Sequence, residues 1–244
     1  MTPALGTLRV FDDKAALASG AAAFLTERAQ ASSGRFVIAA SGGSTPKPLY
    51  EALAQPPFRD AFPWDRVHWV LGDERFVAYD DPASNYRMIQ DAMLAHVPAP
   101  AANVHPVPFD GLTPEQGAAE YAALLRRLYG ADTLQPGRFL LDVDLLGMGE
   151  DGHTASLLPG QPVLEERTRW VAAVEHGRSE PRVTLTYPAL ESARVTVFLV
   201  SGEGKRAMLD TVLSGGSTVP SARLKPEGEV FWFADRAAAG RWAG

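Results

Sequence analysis

The stretch at residues 140–153, LLDVDLLGMGEDGH, joins an apolar run to a glycine-rich turn that ends in a histidine. Its first half, residues 140–146, has the length and composition of a buried β-strand. Three glycines let the chain turn tightly after this strand and present His153. A strand that ends in a polar, glycine-rich turn is typical of the ligand-binding edge of an α/β sheet.

Three further apolar runs end in turns of the same kind. Residues 35–40 (RFVIAA) lead into SGGSTPK, Val67–Leu71 (VHWVL) leads into GDER, and residues 195–200 lead into SGEGK. Because the carboxyl ends of parallel strands meet at one edge of a sheet, we expect all four turns to lie together around a ligand.

Apolar periodicity predicts the remaining elements. Helices are predicted over 12–31, with an aspartate near the N-cap, and over 48–54, 84–96, Pro114–Tyr129 and 203–213, and further strands over 8–11, 170–174, 182–186 and 230–233. Strands that alternate with helices indicate an α/β protein whose parallel or mixed sheet is covered on both faces. We take residues 1–244 as one domain, although the proline-rich connection at 98–112 is the best candidate for a boundary.

The composition excludes several classes of protein. Hydrophobic residues make up 46% of the chain and charged residues 21%, which rules out a disordered, collagen-like or coiled-coil chain. The 23 basic against 29 acidic residues disfavour a nucleic-acid partner. The chain has no cysteine, which excludes disulfides, thiolate metal sites and a cysteine nucleophile. Since neither a secretory signal nor a membrane span is visible, we expect a cytoplasmic protein without a membrane partner. A monomer is the working expectation for its oligomeric state.

The turn that begins at Ser41 has the character of an anion-binding loop. Gly42 and Gly43 permit close backbone approach, and Ser44 or Thr45 can cap the helix that follows, whose free N–H groups would then face an anion. The turn matches neither GxGxxG nor GxxxxGK[ST], so the nucleotide-binding motifs do not fit.

Two cations elsewhere in the chain could hold the same anion. Lys205 follows a glycine-flanked turn at a helix start, and Arg182 opens a predicted strand. Arginine can grip a phosphate with two parallel hydrogen bonds, and lysine supplies a mobile point charge. Taken alone, an arginine or lysine of this kind is more often a solvated surface residue.

His153 is the candidate proton acceptor. Histidine suits proton transfer from water because its unperturbed pKa lies nearest to neutrality. Asp151 or Glu150 is close enough in sequence to orient the imidazole ring. The other histidines are interpreted as structural or solvated, and they are His68, His96, His105 and His176.

Arg75 lies beside two carboxylates at the end of a strand. Those carboxylates, Asp73 and Glu74, could also mark a metal site together with a histidine. Their spacing matches no defensible metal motif, so we expect no metal ion.

Four segments of the chain together resemble the 6-phosphogluconolactonase family. They are SGGSTPKPLYEAL at 41–53, GDERFV at 72–77 with SNYRM at 84–88, DLLGMGEDGHTASLLPG at 144–160, and RVTLTYPAL at 182–190. The resemblance spans nearly the whole chain in the expected order. GxGxDGHxAS is the most specific segment, and its GxGxDGH part is shared with glucosamine-6-phosphate deaminase.

The resemblance implies a Rossmann-like α/β fold and the hydrolysis of 6-phospho-D-glucono-1,5-lactone to 6-phosphogluconate without a cofactor. It implies that His153 is the general base, that Asp151 and Asp73 shape the site, and that Arg75 faces the reacting end of the substrate.

The same resemblance implies that the SGGST turn, Arg182 and Lys205 hold the 6-phosphate. The chemistry agrees with these roles, because lactone hydrolysis needs a proton acceptor for water, stabilisation of an oxyanion and a proton for the leaving ring oxygen. The chain lacks the GxSxG motif, and no serine nucleophile is required.

Two rival functions remain open at this point. The deaminase family carries a glutamate five residues beyond the loop histidine, where this chain has Leu158, and a tyrosine or similar residue where this chain has Arg75. A sugar-phosphate sensor would need a DNA-binding module, for which we expect no room, since the first strand begins by Leu8 and the net charge is −6.

Overall fold

A parallel sheet of seven strands forms the centre of the fold in the computed structural model, which describes residues 5–244. In spatial order the strands are β1 (Thr7–Phe11), β10 (Glu229–Asp235), β9 (Ala193–Val200), β6 (Leu141–Gly147), β2 (Phe36–Ala40), β3 (Val67–Leu71) and β5 (Val104–His105). Every neighbouring pair in this sheet runs parallel. The predicted α/β class with a mostly parallel sheet is confirmed.

Three short strands form a second, antiparallel sheet. Their order is β4 (Asp73–Arg75), β8 (Arg182–Leu185) and β7 (Val171–Val174). Residues 72–75 were expected to form a turn, and this expectation is wrong, because Asp73–Arg75 form strand β4. A charged triplet has no apolar alternation to mark it as a strand, and only its pairing with β8 makes it one.

Nine helices surround the two sheets in the described part of the chain. They are α1 (Lys14–Ala31), α2 (Lys47–Leu53), α3 (Phe58–Ala61), α4 (Asn85–Ala92), α5 (Pro114–Tyr129), α6 (Tyr187–Glu191), α7 (Arg206–Leu213), α8 (Pro220–Arg223) and α9 (Arg236–Ala239). Two predicted helices are shorter than expected, because residues 94–96 and 203–205 form separate 3-10 turns. No helix within residues 5–244 is long and apolar enough to cross a membrane.

The helix caps agree with the sequence in one case and not in another. Asp13 is the N-cap of α1, and its Oδ1 accepts a hydrogen bond from the Ala16 amide at 2.8 Å. The expectation that Ser44 or Thr45 caps α2 is wrong. The N-cap of α2 is Pro46, whose backbone is already helical and which makes no side-chain cap.

The order of the strands creates a crevice beside β2. Strand β2 lies between β3 and β6 in the sheet. The sheet continues through β3 to β5 on one side of β2, and through β6 to β9, β10 and β1 on the other side. All five residues of β2 are buried, as expected for a central strand that is covered on both faces. Loops that leave adjacent strands in opposite directions open a ligand site at their carboxyl ends.

Candidate active site

A cleft of about 240 Å³ lies at this crevice, and all four predicted turns contribute to it. The predicted site residues that line it are Ser41, Gly42, Gly43, Ser44, Thr45, Asp73, Arg75, His153, Arg182 and Lys205. Asp151 lies just outside the lining and contacts it through His153. The strand order therefore brings together segments that are more than 150 residues apart in the chain.

His153 and Asp151 form a hydrogen-bonded pair at the end of β6. Nδ1 of His153 lies 2.5 Å from Oδ1 of Asp151, and the His153 amide donates to the same oxygen at 3.1 Å. Partial burial raises the pKa of Asp151, but hydrogen bonds from His153 and Arg178 outweigh this effect and lower it below its usual value. An ionised Asp151 places the proton on Nδ1, which leaves Nε2 as the basic nitrogen of the ring.

Gly149 leaves the space that this pair occupies. A Cβ atom at Gly149 would lie 2.0 Å from Nδ1 of His153 and 2.4 Å from Oδ1 of Asp151. The turn is closed by the Gly149 amide, which donates to the His153 carbonyl at 2.8 Å. A side chain at Gly149 would therefore displace the base or its partner.

Asp73 is a buried residue in the lining of the cleft. Its Oδ2 accepts a hydrogen bond from Ser156 at 2.6 Å and lies 3.7 Å from Nη1 of Arg182. Burial lowers the pKa of Arg182, while the charge of Asp73 opposes this shift. Nε of Arg182 is buried without a hydrogen-bond partner. Asp73 thus orients Arg182 but does not use all of its donors.

Arg75 is held against the start of α4. Its Nη1 donates to the Ala83 carbonyl at 2.9 Å and to Oδ1 of Asn85 at 2.5 Å. Asn85 also donates to the Asp73 carbonyl at 2.9 Å. A Cβ at Gly42 would lie 1.8 Å from Oδ1 of Asn85, so the glycine-rich turn packs directly on this amide.

Glu74 organises the backbone behind the site. Oε1 accepts from the Arg75 and Asn85 amides at 2.8 and 2.6 Å, and Oε2 accepts from the Tyr86 amide at 2.8 Å and from Ser84 at 3.1 Å. Burial raises the pKa of Glu74, although these amides partly offset the shift. With its oxygens engaged by the protein, Glu74 is not placed to bind a metal ion.

The SGGST turn offers an open backbone surface. Gly43 has φ of +99°, in the left-handed region that favours glycine, and no atom lies within 4 Å of the position of its missing Cβ. The base of the turn is fixed by Tyr50, whose hydroxyl donates to the Ser41 carbonyl at 2.8 Å and accepts from the Ser41 amide at 3.0 Å. Burial raises the pKa of Tyr50, which keeps this phenol neutral.

Three residues that support the site were not singled out from the sequence. Asn85 lies within the quoted segment SNYRM, Ser156 within GEDGHTAS, and Arg178 in the connection between β7 and β8. Asn85 and Ser156 lie in segments that carry the family resemblance, and this resemblance could have identified them as residues of the site. Nothing in the sequence around Arg178 distinguishes it from a solvated arginine.

The model of the Glucosamine-6-phosphate isomerases/6-phosphogluconolactonase family matches residues 12–232. The chain belongs to this family. The segments that resembled 6-phosphogluconolactonases in the sequence all lie within the matched range. The cleft at the carboxyl ends of β2, β3, β6 and β9 is therefore the candidate active site of a member of the glucosamine-6-phosphate isomerase/6-phosphogluconolactonase family.

Within this family the chain is similar to proteins named 6-phosphogluconolactonase. It is 44% identical to one from Nostoc sp. over 209 residues, covering 84% of each chain. It is 37% identical to one from Rattus norvegicus, covering 97% of this chain and 94% of the relative. The 6-phosphogluconolactonase of Trypanosoma cruzi superposes with a TM-score of 0.85 at 27% identity, covering 100% of this chain and 99% of that one.

The other branch of the family shares the fold. A monomeric glucosamine-6-phosphate deaminase superposes with a TM-score of 0.80 over 96% of this chain and 98% of its own, at 20% identity. At that identity the likeness concerns the fold alone. The curated relatives at 35–44% identity that we compared are named as lactonases.

Proposed function

We propose that this protein hydrolyses 6-phospho-D-glucono-1,5-lactone to 6-phosphogluconate, the second step of the oxidative pentose phosphate pathway. The observation that carries the proposal is the pair of His153 and Asp151 in a cleft that is also lined by three cations. A base with one free nitrogen fits hydrolysis by water, and the cations fit an anionic substrate. The lactonases among its relatives support the same substrate.

The reaction can be assigned to His153 step by step. Nε2 accepts a proton from water while the water oxygen bonds to the carbonyl carbon, C1, and the carbonyl oxygen becomes an oxyanion. The bond between C1 and the ring oxygen then breaks, and the imidazolium returns the proton to that oxygen. Asp151 keeps its charge throughout and stabilises the imidazolium between the two steps.

The 6-phosphate is assigned to the SGGST turn and Lys205. Lys205 ends the 3-10 turn after β9, lines the cleft and makes no ion pair within residues 5–244. The open Gly43 backbone and a mobile ammonium are suited to a phosphate group. Arg182 also lines the cleft and has an Nε without a hydrogen-bond partner, and we assign it to the same anion.

Two positions argue against the deaminase reaction. Leu158 is buried in the core, where the deaminases carry a glutamate. Arg75 is fixed by Asn85 and the Ala83 carbonyl, where they carry a tyrosine or similar residue. The cleft lining thus lacks a carboxylate at the position that the deaminases use.

The deciding experiment compares two substrates. Freshly generated 6-phosphogluconolactone is followed against its spontaneous hydrolysis, and ammonia release from glucosamine 6-phosphate is followed in parallel. We expect lactone hydrolysis well above the background, no ammonia, and no effect of EDTA on the rate. Ammonia release without lactone hydrolysis would overturn the proposal, and activity restored only by added metal would assign a metal to the Asp73 region.

A further inference from the structure

Arg178 reaches the pair of Asp151 and His153 from a separate part of the fold. Its Nη2 donates to Oδ2 of Asp151 at 3.2 Å and lies 3.4 Å from Nδ1 of His153. Because the 2.5 Å contact with Asp151 already places the proton on Nδ1, the approach of Arg178 to this nitrogen is one of charge and not a donated hydrogen bond. Arg178 therefore acts on both members of the pair.

The connection that carries Arg178 is packed against the rest of the site. It joins β7 to β8, whose pairing places Val174 opposite Arg182. Gly177 has φ of +93°, and a Cβ there would lie 2.9 Å from Nε2 of Gln161 and 3.2 Å from Cδ1 of Leu158. This close approach to the loop after His153 fixes the position from which Arg178 extends.

We propose that Arg178 is a positioning residue: by binding Oδ2 of Asp151 it holds Oδ1 against Nδ1 of His153, so that Nε2 stays unprotonated and faces the cleft. A carboxylate with one engaged oxygen can rotate and offer either oxygen, whereas a carboxylate with both oxygens engaged cannot. This arrangement fixes one tautomer of the ring before substrate arrives. The inference rests on the proposed role of His153 as the base.

Other charged groups surround the pair, and within residues 5–244 Arg178 is the only residue outside the pair whose side chain forms a hydrogen bond with its side chains. The charged groups that face it or line the adjoining surfaces are Glu150 on its own loop, Asp73, Arg75, Arg182 and Lys205 around the cleft, and Glu165, Arg223 and Lys225 along the groove behind Asp151. Asp73 and Glu165 are engaged by Arg182 and Arg223. Removing Arg178 therefore removes the direct counter-charge of Asp151.

The test reads the ring of His153 directly by NMR, with its signals assigned by comparison with His153→Ala. In the wild-type protein we expect imidazole ¹⁵N shifts of a single tautomer with the proton on Nδ1. In Arg178→Gln we expect a mixture of tautomers and a titration midpoint of the ring about half a pH unit higher or more, because the neighbouring positive charge no longer opposes protonation. Arg178→Lys should return the titration midpoint of His153 close to the wild-type value, because lysine keeps the positive charge. It should restore the single tautomer less completely, because lysine lacks the guanidinium geometry.

Arg169→Gln is the matched control, because it removes an arginine that pairs with a carboxylate, Glu166, away from the cleft. It should leave both the tautomer and the midpoint of His153 unchanged. An identical tautomer and midpoint in Arg178→Gln and the wild type would overturn the proposal. A shift of the same size in Arg169→Gln would also overturn it, because the effect would then not be specific to Arg178.

Kinetics separate this inference from the proposed function. In Arg178→Gln we expect kcat for the lactone to fall by about 10-fold with KM nearly unchanged, and the acidic limb of the kcat profile to move to higher pH. If the protein does not hydrolyse the lactone, the NMR measurement still decides whether Arg178 positions the pair. If the protein does hydrolyse the lactone, and Arg178→Gln changes neither the acidic limb of the kcat profile nor the NMR signals of His153, the role assigned to Arg178 is wrong.

Discussion

His153 is the residue on which turnover is expected to depend. His153→Ala should lower kcat by at least about 100-fold, because the variant loses the proton acceptor for water, while KM stays within a few-fold. The initial rate with fresh lactone, corrected for spontaneous hydrolysis, measures this effect. His176→Ala is the matched control, since His176 is exposed and does not line the cleft. A near-normal kcat in His153→Ala would remove the imidazole from the mechanism.

Lys205 is expected to contribute binding and not chemistry. Lys205→Ala should weaken inhibition by 6-phosphogluconate by about 10-fold, because one charged contact to the phosphate is lost. The inhibition constant against the lactone measures this change, and Lys14→Ala on the exposed start of α1 serves as the control. An inhibition constant equal to that of the wild type would reassign Lys205 to the solvated surface.

At the scale of elements, the strands and turns that are marked by local apolar patterns could be predicted from the sequence. The strands β2, β3, β6 and β9 are mostly apolar and buried, and the turns after them were predicted to meet because parallel strands end at one edge. Strand β4 was missed because its pairing with β8 is a tertiary property. Arg178 was missed for the same reason, since its partners on the His153 loop are distant in sequence.

Strands β3 and β5 are joined by a pair of histidines that links stability to pH. Nδ1 of His68 lies 2.9 Å from Nε2 of His105, with the rings stacked. Burial, together with the charges of His68 and Arg35, lowers the pKa of His105 to about 4, and burial also lowers the pKa of His68. Both rings are therefore neutral in the folded protein at pH 7.

This pair should make the protein acid-sensitive. Because folding lowers the pKa of His105, its contribution to stability is present above about pH 6.5 and is lost as the pH falls towards about 4. His105→Gln should reduce this loss by roughly 1 kcal/mol, a figure limited by solvent screening of a half-buried ring. Urea unfolding of both proteins at pH 7 and pH 4.5 measures it, with His96→Gln as the control. Equal losses in wild type and His105→Gln would contradict the assignment.

At the scale of the whole molecule, Asp144 opposes folding at neutral pH. It lies on the central strand β6, is fully buried, and neither of its oxygens has a hydrogen-bond partner. Burial raises its pKa well above the usual range, because the charged form would be desolvated without a hydrogen-bond partner. Folding therefore shifts this carboxyl towards its protonated form relative to the unfolded chain.

Replacing Asp144 should stabilise the protein in a pH-dependent way. When the pKa of a group is higher in the folded than in the unfolded state, its contribution to stability is present at low pH. That contribution is lost as the pH rises above the pKa of the group in the unfolded chain. The gain of Asp144→Val over the wild type should be larger at pH 8 than at pH 5 by at least about 1 kcal/mol. Denaturant unfolding at both pH values measures the difference, and Asp144→Asn should show the same pH dependence without the better packing. A gain that does not vary with pH would show that Asp144 is ionised in the folded state.

The ladder between β4 and β8 sets Arg75 directly opposite Arg182. Two like charges in register repel each other across strands, and here both are partly shielded from water. A doubly charged anion between the two guanidinium groups would offset this repulsion. In practical terms, phosphate and sulfate buffers should behave as ligands, raising the melting temperature while slowing the enzyme, and purification in a neutral organic buffer should yield the more active but more fragile preparation.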